Sequence, residues 1–308
     1  LQRVRDDDGK LCMVDATYDK MIQDFRRKTC RLVILGETHG DQVAHYLEAK
    51  VLENLASSSQ CALSMEMFET DRQNVLDEYL QGHITESAMI KDCNAWQNYG
   101  DYRPLVEFAK SSGMSVIAAN APGRYVSIVN SRGQEPLQRL PLPSQAHLPP
   151  LPFALPSADL YHKVSSFMAA HRAASGAAMM CPAPVSEGGP KNPAMERMVL
   201  AQSLWDASMA WNLARALREA SVDKIVHVCG RFHVEHSLGI PEHLDRYLLQ
   251  EHCEHRDNKV AHEAAEHLRE PGGAFRAIAK TAVFVPIAFE DSGDGTHADL
   301  DLKDPFLA

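Results

Sequence analysis

Two Gly-x-x-His motifs, each directly after a strand-like run, constrain the fold of this chain more than any other feature. Gly-Glu-Thr-His at residues 36–39 follows an aliphatic run at 32–35, and Gly-Arg-Phe-His at 230–233 follows a similar run at 224–229. Short runs of β-branched and aliphatic residues predict buried strands. In α/β proteins the chemistry lies just past the carboxyl ends of parallel strands, so both motifs predict positions in a functional site.

Strand-like and helix-like segments alternate along most of the chain. Between the first two predicted strands, apolar residues recur at helical spacing, and Asp41 is placed to cap that helix. Such alternation indicates βαβ units, and we predict an α/β fold with a mainly parallel sheet flanked by helices. The predicted strands are residues 32–37, 62–68, 115–119, 225–229 and 281–289, and the predicted helices include 41–57, 70–80, 103–111, 157–174 and 194–220.

The middle of the chain differs in composition. Seven prolines fall within residues 136–156, too many for regular structure. We interpret residues 136–193 as a smaller helical cap inserted into a single α/β core, which comprises residues 1–135 and 194–290. The cap fits a lid over the carboxyl edge of the sheet and, equally well, a tolerated surface insertion. Residues 291–308 are predicted to form an acidic tail.

Charge and cysteine content narrow the class of protein. The 308 residues carry a formal net charge of −10, and the 31 Lys and Arg residues are scattered, so nucleic acid is not an expected partner. No apolar stretch is long enough to span a bilayer, so no membrane span is expected within the chain. The seven cysteines form no Cys-x-x-Cys pair, which favours a reducing compartment over a disulfide framework.

Acidic and imidazole side chains follow several of the predicted strands. Because the carboxyl ends of parallel strands meet at one edge of a sheet, we expect Glu37, His39, Glu66, Asn120 and His233 to surround one crevice. Glu66 interrupts an apolar run. A buried carboxylate costs free energy unless it is paired, protonated or bound to a cation, so this position requires an explanation.

Three interpretations of this group stay open on the pattern alone. If the chain is an enzyme, Glu37, His39, Glu66 and His233 are its catalytic residues and perform general acid–base chemistry. The same side chains suit a divalent metal such as zinc or manganese, although no set of metal ligands is assigned. The third interpretation is a hydrogen-bonded network that only satisfies buried groups and orients loops.

Other candidate residues have plain structural interpretations. His227 lies inside a predicted strand and is expected to be a core histidine, and His45 on the first helix is expected to be packed rather than catalytic. An aromatic group could clamp a planar ligand or form a packed corner, and both interpretations fit equally. That group consists of Trp96, Tyr99 and Tyr102 with the neighbouring Arg103.

Several blocks of the sequence, in order and spread over most of residues 25–250, resemble the ChaN-like haem-binding proteins. The resemblance implies an α/β core with a smaller helical part and haem as ligand, as in bacterial iron-regulated lipoproteins. It also implies distant kinship with erythromycin esterase-like and Tiki/TraB-like proteins. The matching blocks are residues 35–39, 64–68, 96–107, 117–122, 202–210, 230–233 and 239–241.

The resemblance makes haem, or a related tetrapyrrole, the first hypothesis for the ligand, and haem or iron handling the expected role. We expect the haem in or near the helical cap, where Tyr161, His162 and His171 are the candidate cofactor-binding residues. Tyr161 and His162 are adjacent on the predicted helix, so only one of them can face the crevice. Compared with the bacterial pattern, the proline-rich insertion is enlarged and a His-rich segment precedes the last strand.

Two alternatives rank below haem binding, and the chain is expected to be a binding protein rather than an enzyme. The second hypothesis, after haem binding, is a non-catalytic module that binds protein partners, as a homodimer or within a larger complex. The third is a Glu/His-dependent hydrolase. The alanine-rich composition and the leucine at position 1 favour a chloroplast version, since some plastid proteins of the reticulata-related type carry such a domain.

Overall fold

The computed structural model describes residues 2–5, 11–14, 17–174, 192–219, 222–254 and 279–283. Two short strands at the start pair antiparallel with each other. The other five form one sheet in the order β5-β4-β6-β3-β7, and every neighbouring pair is parallel. The strands are β1 (Gln2–Arg5), β2 (Leu11–Val14), β3 (Leu32–Glu37), β4 (Cys61–Glu69), β5 (Val116–Asn120), β6 (Lys224–Gly230) and β7 (Ala279–Val283).

Helices connect the strands and cover the sheet. The helix after β3 begins as the sequence predicts, because the Asp41 side chain accepts a hydrogen bond from the backbone N–H of Val43. The helices are α1 (Tyr18–Arg26), α2 (Gln42–Ala56), α3 (Gln73–Leu80), α4 (Glu86–Asp92), α5 (Tyr99–Ser112), α6 (Gly123–Arg132), α7 (Leu142–Gln145), α8 (Ala158–Ala174), α9 (Pro193–Glu219) and α10 (Ile240–Glu254).

Different helices cover the two faces of the sheet. Val33 and Leu35 of β3 pack in a core with α1 to α5, whereas Leu32 and Ile34 pack with α9 and α10. Successive side chains of a strand point to opposite faces, so a strand buried on both sides is apolar throughout. This explains why the run before Gly36 contains no polar residue.

The predicted α/β class is confirmed, and the strand bounds differ from the prediction by one or two residues at most ends. The helix predicted at 103–111 begins earlier, at Tyr99, with Pro104 inside it. The last predicted strand, 281–289, is described only as Ala279–Val283, and residues 284–289 lie outside the described residues. The β1–β2 pair and helices α1, α4, α6, α7 and α10 were not predicted, and α7 lies inside the proline-rich stretch that was expected to lack regular structure.

The proline-rich region packs against helices α6 and α9 of the core. Leu137, Leu148 and Phe153 bury their side chains against α6 and α9, and Leu160 and Val164 of α8 pack on the first half of α9. The division of the chain into core, cap and tail stays a prediction. The predicted acidic tail, 291–308, lies outside the described residues. Within the part of the chain that the structure describes, no helix combines the length and apolar character required to cross a bilayer.

Candidate functional site

The two Gly-x-x-His motifs lie side by side at the carboxyl edge of the sheet. β3 and β6 are parallel neighbours, and their register places Gly36 beside Cys229 and Glu37 beside Gly230. β4 lies on the other side of β6, and its register with β5 shifts between Met65 and Glu69, which reshapes the strand around Glu66. The sheet topology therefore brings all three strand ends to one crevice.

Two carboxylate–imidazole pairs form at this edge. In the first, His39 Nδ1 lies 2.7 Å from Glu37 Oε1. In the second, His233 Nε2 lies 3.3 Å from Glu66 Oε1. The four side chains that the sequence analysis selected as the catalytic group thus share one rim, although their role stays a prediction.

Gly230 is the point at which the two pairs meet. Its backbone N–H donates a hydrogen bond of 2.6 Å to Glu66 Oε2. A Cβ atom at position 230 would lie 2.8 Å from His39 Nε2 and 3.6 Å from Glu66 Oε2. The second motif begins with glycine because any side chain there would displace His39.

Glu37 is an ionised acceptor at the centre of the first pair. Tyr102 donates its hydroxyl proton to Glu37 Oε1 over 2.6 Å, and His45 Nδ1 approaches Glu37 Oε2 at 2.9 Å. Burial alone would raise the pKa of Glu37, but the interactions with His39, His45 and Tyr102 outweigh burial and lower the pKa to about 2.

His39 is the member of the four that faces solvent. Its side chain is 42% exposed, whereas the side chains of Glu37, Glu66 and His233 are buried. The hydrogen bond to Glu37 raises the pKa of His39 against the opposite effect of burial. The edge of Trp96 lies against the His39 ring at a centroid distance of 5.1 Å. His39 is therefore the group through which a ligand or water molecule would first reach the crevice.

The second pair has a third member, Asp206. Its Oδ1 lies 2.5 Å from His233 Nδ1, on the side of the ring opposite Glu66. Burial would lower the pKa of His233, but the two carboxylates raise it to about 10, and His233 in turn helps to lower the pKa of Glu66 to about 2. Burial raises the pKa of Asp206. His233 is thus a buried imidazolium held between two acidic groups.

Sequence reasoning missed Asp206. It lies on α9, whose apolar residues pack against the sheet and against α6, and it is itself buried. The signal was present: an acidic residue on the apolar face of an amphipathic helix is as costly as one inside a strand. Its partner could not be read from the sequence, because 27 residues separate Asp206 from His233.

The structure buries His45 as predicted, but within a charged group rather than an apolar one. His45 Nδ1 lies 2.9 Å from Glu37 Oε2 and 3.4 Å from Glu48 Oε2. The pKa of His45 is raised to about 10, since these carboxylates outweigh the effect of burial. Burial raises the pKa of Glu48 to about 8. His45 therefore extends the first pair into the interior.

Other residues that the sequence analysis singled out make packing contacts or hydrogen bonds within the core. His227 is buried with its Nδ1 3.0 Å from Ser64 Oγ, and burial lowers its pKa to about 4, so it is a neutral core histidine. Asn120 Oδ1 accepts the backbone N–H of Ala121. Tyr99 and Tyr102 are buried side chains of α5.

The predicted cofactor-binding residues lie on α8 rather than at the end of a strand. Tyr161 is partly buried and packs in the cluster between α8 and α9, whereas His162 is exposed. The backbone of His171 is part of α8, and its side chain lies outside the described part of the chain. α8 reaches the crevice through Lys163, whose Nζ donates a 2.6 Å hydrogen bond to the carbonyl oxygen of Phe232, next to His233.

Comparisons with known proteins support this architecture. A solved structure described as cofacial haem binding to ChaN of Campylobacter jejuni is 16% identical, with a TM-score of 0.53 over 77% of this chain and 82% of that one. The effector domain RRSP of a MARTX toxin from Vibrio vulnificus is also 16% identical, but its TM-score of 0.36 over 74% of this chain and 37% of that one is too low for comparing folds.

The curated relative in these comparisons is the protein RETICULATA-RELATED 5, chloroplastic, of Arabidopsis thaliana. It is 23% identical over 232 residues, which cover 70% of this chain but only 29% of that protein's length. A family model described as haem-binding uptake, Tiki superfamily, ChaN matches residues 25–244. This match includes both Gly-x-x-His motifs and most of the chain, so the chain belongs to the ChaN family of the Tiki superfamily.

Proposed function

We propose that this chain binds haem or a related tetrapyrrole and takes part in haem or iron handling. The observation that carries the proposal is the family match over residues 25–244, in a family described by haem-binding uptake. The structural neighbour from Campylobacter jejuni is described as binding haem cofacially, and its fold covers most of this chain. Haem needs a nitrogen or oxygen ligand for its iron beside apolar surface for its ring.

α8 meets both requirements in part. It presents the exposed imidazole of His162 and the 55% exposed ring of Phe167, which lies 5.1 Å from the ring of Phe232. The exposed ring of Phe167 and the partly buried ring of Phe232 offer apolar surface to a planar ligand. We therefore keep Tyr161, His162 and His171 as the proposed iron ligands.

A second surface competes with α8 for the same ligand. Val43 and Tyr46 are 59% and 42% exposed, and they lie three residues apart on one face of α2, the helix that follows the exposed His39. This surface offers imidazole and phenol groups together with apolar area. It makes His39 or Tyr46 an alternative iron ligand, and the experiment must separate the two surfaces.

Titration of the purified chain with haemin tests the proposal. We expect a shifted Soret band that saturates at a defined ratio of haem to protein. His162→Ala, His171→Ala and Tyr161→Phe weaken binding if α8 holds the iron, whereas His39→Ala and Tyr46→Phe weaken it if α2 does. His83→Ala, a change at an exposed histidine on neither surface, is the matched control. A spectrum that never saturates, or five variants that bind like the control, would end the proposal.

A hydrolase is a further candidate, because the crevice gathers Glu37, His39, Glu66 and His233. Catalysis of proton transfer works best with a group whose pKa lies near the working pH. The pKa values of Glu37 and Glu66 are about 2 and that of His233 is about 10, so these three are fixed charges near neutrality. The exposed His39 is left as the acid–base group. A hydrolytic activity lost in His39→Gln and Glu66→Gln supports the hydrolase, and full activity in both variants rejects it.

The plastid setting and assembly into a larger complex are further parts of the proposal. They are supported by the chloroplast relative, of which this chain spans less than a third. Fractionation of source tissue should place the protein in plastids. Light scattering of the native protein distinguishes a monomer from a homodimer or a complex with other chains.

A further inference from the structure

A second group of ligand-type side chains lies behind the crevice. We call it the α2 cluster: Glu37, His45 and Glu48. His45 and Glu48 are three residues apart on α2 and so share one face of the helix, which points at the end of β3 where Glu37 lies. One nitrogen or oxygen from each of the three lies within 4.8 Å of the others. All three residues are buried.

The α2 cluster contains polar atoms that the described part of the chain does not satisfy. Glu48 Oε1 and His45 Nε2 are buried and have no hydrogen-bond partner among the described residues, and Glu37 Oε2 has only its 2.9 Å ion-pair contact with His45 Nδ1. A buried polar atom without a partner costs about 1–3 kcal/mol, and more when it is charged. Two carboxylates face a single imidazole, so proton sharing within the cluster cannot supply every oxygen with a donor.

The distances within the cluster suit a cation. His45 Nδ1 lies 2.9 Å from Glu37 Oε2 and 3.4 Å from Glu48 Oε2. Ligands of one tetrahedral zinc ion, each about 2.0–2.2 Å from the metal, stand roughly 3.3–3.6 Å apart. The contact with Glu48 lies in this range, and the shorter contact with Glu37 has to lengthen by about 0.4 Å to admit the metal. One imidazole with two carboxylates is a donor set that zinc and similar divalent transition metals accept.

We propose that Glu37 Oε2, His45 Nδ1 and a Glu48 carboxylate oxygen bind one divalent transition-metal ion of the zinc class. Binding releases the proton of His45 Nδ1 and the proton of the Glu48 carboxyl group to water, and it gives the Glu48 carboxylate a cation as partner. The site is distinct from the crevice, because Glu37 turns its other oxygen, Oε1, to His39 and Tyr102. A metal there fixes the carboxylate that orients His39, as second-shell groups do in metal sites.

Cobalt(II) is the probe, because its visible spectrum reports the ligands. The full chain, stripped with a chelator, should bind one equivalent of Co²⁺ with bands typical of nitrogen and oxygen ligands and without thiolate charge transfer. Zn²⁺ should displace it. X-ray absorption of the zinc-loaded wild-type chain should show one imidazole and otherwise oxygen. Two or more imidazoles, or any sulfur, would contradict the proposal without recourse to a variant.

Variants separate the α2 cluster from the crevice. Loss of a second-shell partner already costs 10- to 100-fold in metal affinity, so Glu48→Gln, which removes a ligand, should weaken binding by more than about 100-fold. Glu53→Gln, on the same helix and paired with Lys50, should leave the affinity unchanged. Glu66→Gln should also leave it unchanged, because Glu66 belongs to the other pair.

The opposite pattern overturns the inference. Metal binding that survives Glu48→Gln but fails in Glu66→Gln or His233→Gln would place the ion in the crevice. The absence of stoichiometric binding by the wild-type chain would remove the site altogether. Failure of the haem titration would not contradict the metal site, because none of the three proposed metal ligands is a proposed iron ligand.

Discussion

The two carboxylate–imidazole pairs look alike in sequence and differ in their surroundings. His39 is two residues from its partner, Glu37, and is 42% exposed. His233 lies far along the chain from Glu66, is 9% exposed, and has Asp206 on its other side. The same motif therefore produces a solvent-facing imidazole at one strand and a buried imidazolium at the other. The difference is that α9 packs over the second pair and adds a third ionisable side chain, that of Asp206.

Removal of the imidazole should separate the pairs most strongly. His233→Gln leaves Glu66 and Asp206 buried without their cation, and loss of one partner from a buried ion pair costs about 3–5 kcal/mol. His39→Gln, at an exposed position, should cost less than about 1 kcal/mol. Chemical denaturation of both variants measures the difference. Equal losses would mean that burial does not distinguish the pairs.

The dependence of stability on pH should show the same contrast. The folded pKa of His233 is about 10, above its value of about 6.5 in the unfolded chain, so its stabilisation is present below pH 6.5 and lost as the pH rises towards 10. Glu66, with its pKa lowered to about 2, stabilises above about pH 4.5 and loses this effect towards pH 2. Denaturation at a series of pH values should show a smaller alkaline loss in His233→Gln than in His39→Gln. An unchanged alkaline limb in His233→Gln would refute the buried imidazolium.

Gly230→Ala should disturb both pairs together, because its Cβ would lie 2.8 Å from His39 Nε2. Overpacking of this kind costs about 1–3 kcal/mol. Gly100 is the matched control, since a Cβ there meets no atom within 4 Å and the residue lies in α5. Gly100→Ala should be neutral or stabilising by about 0.5–1 kcal/mol. Thermal unfolding compares the two, and equal melting temperatures would show that the crevice adapts freely.

The smallest effect is expected at the hydroxyl of Tyr102. Tyr102→Phe removes one donor from Glu37 and leaves the approaches of His39 and His45 intact. A net loss of about 1.5 kcal/mol is expected, the low end for a hydrogen bond to a charged group, because His39 and His45 still stabilise Glu37. NMR titration should show a raised pKa for Glu37 and an unchanged pKa for Glu66. Movement of both would show that the two pairs are electrostatically one group.

The alternation of strand-like and helix-like segments was sufficient to predict the α/β class. The rule that the carboxyl ends of parallel strands meet at one edge of the sheet was sufficient to predict that Glu37, Glu66 and His233 gather there. It could not find Asp206, whose position depends on how α9 crosses the sheet. The sequence analysis also predicted that His45 is only a packed residue. Its role depends on the three-dimensional position of Glu37, which contacts His45 together with Glu48. Most strand ends, although not those of β3, differ from the predicted ends by one or two residues, since pairing with neighbours rather than composition decides where a strand stops.

Lys163 connects α8 directly to the crevice. Its ammonium group hydrogen-bonds the carbonyl oxygens of Phe232 and Glu235, which flank His233 in the chain. A molecule that displaces α8 is therefore expected to displace the turn at residues 231–235, which carries the buried imidazolium of His233. If α8 binds haem as proposed, we expect haem binding at α8 to change ligand affinity at the crevice, and by linkage the reverse.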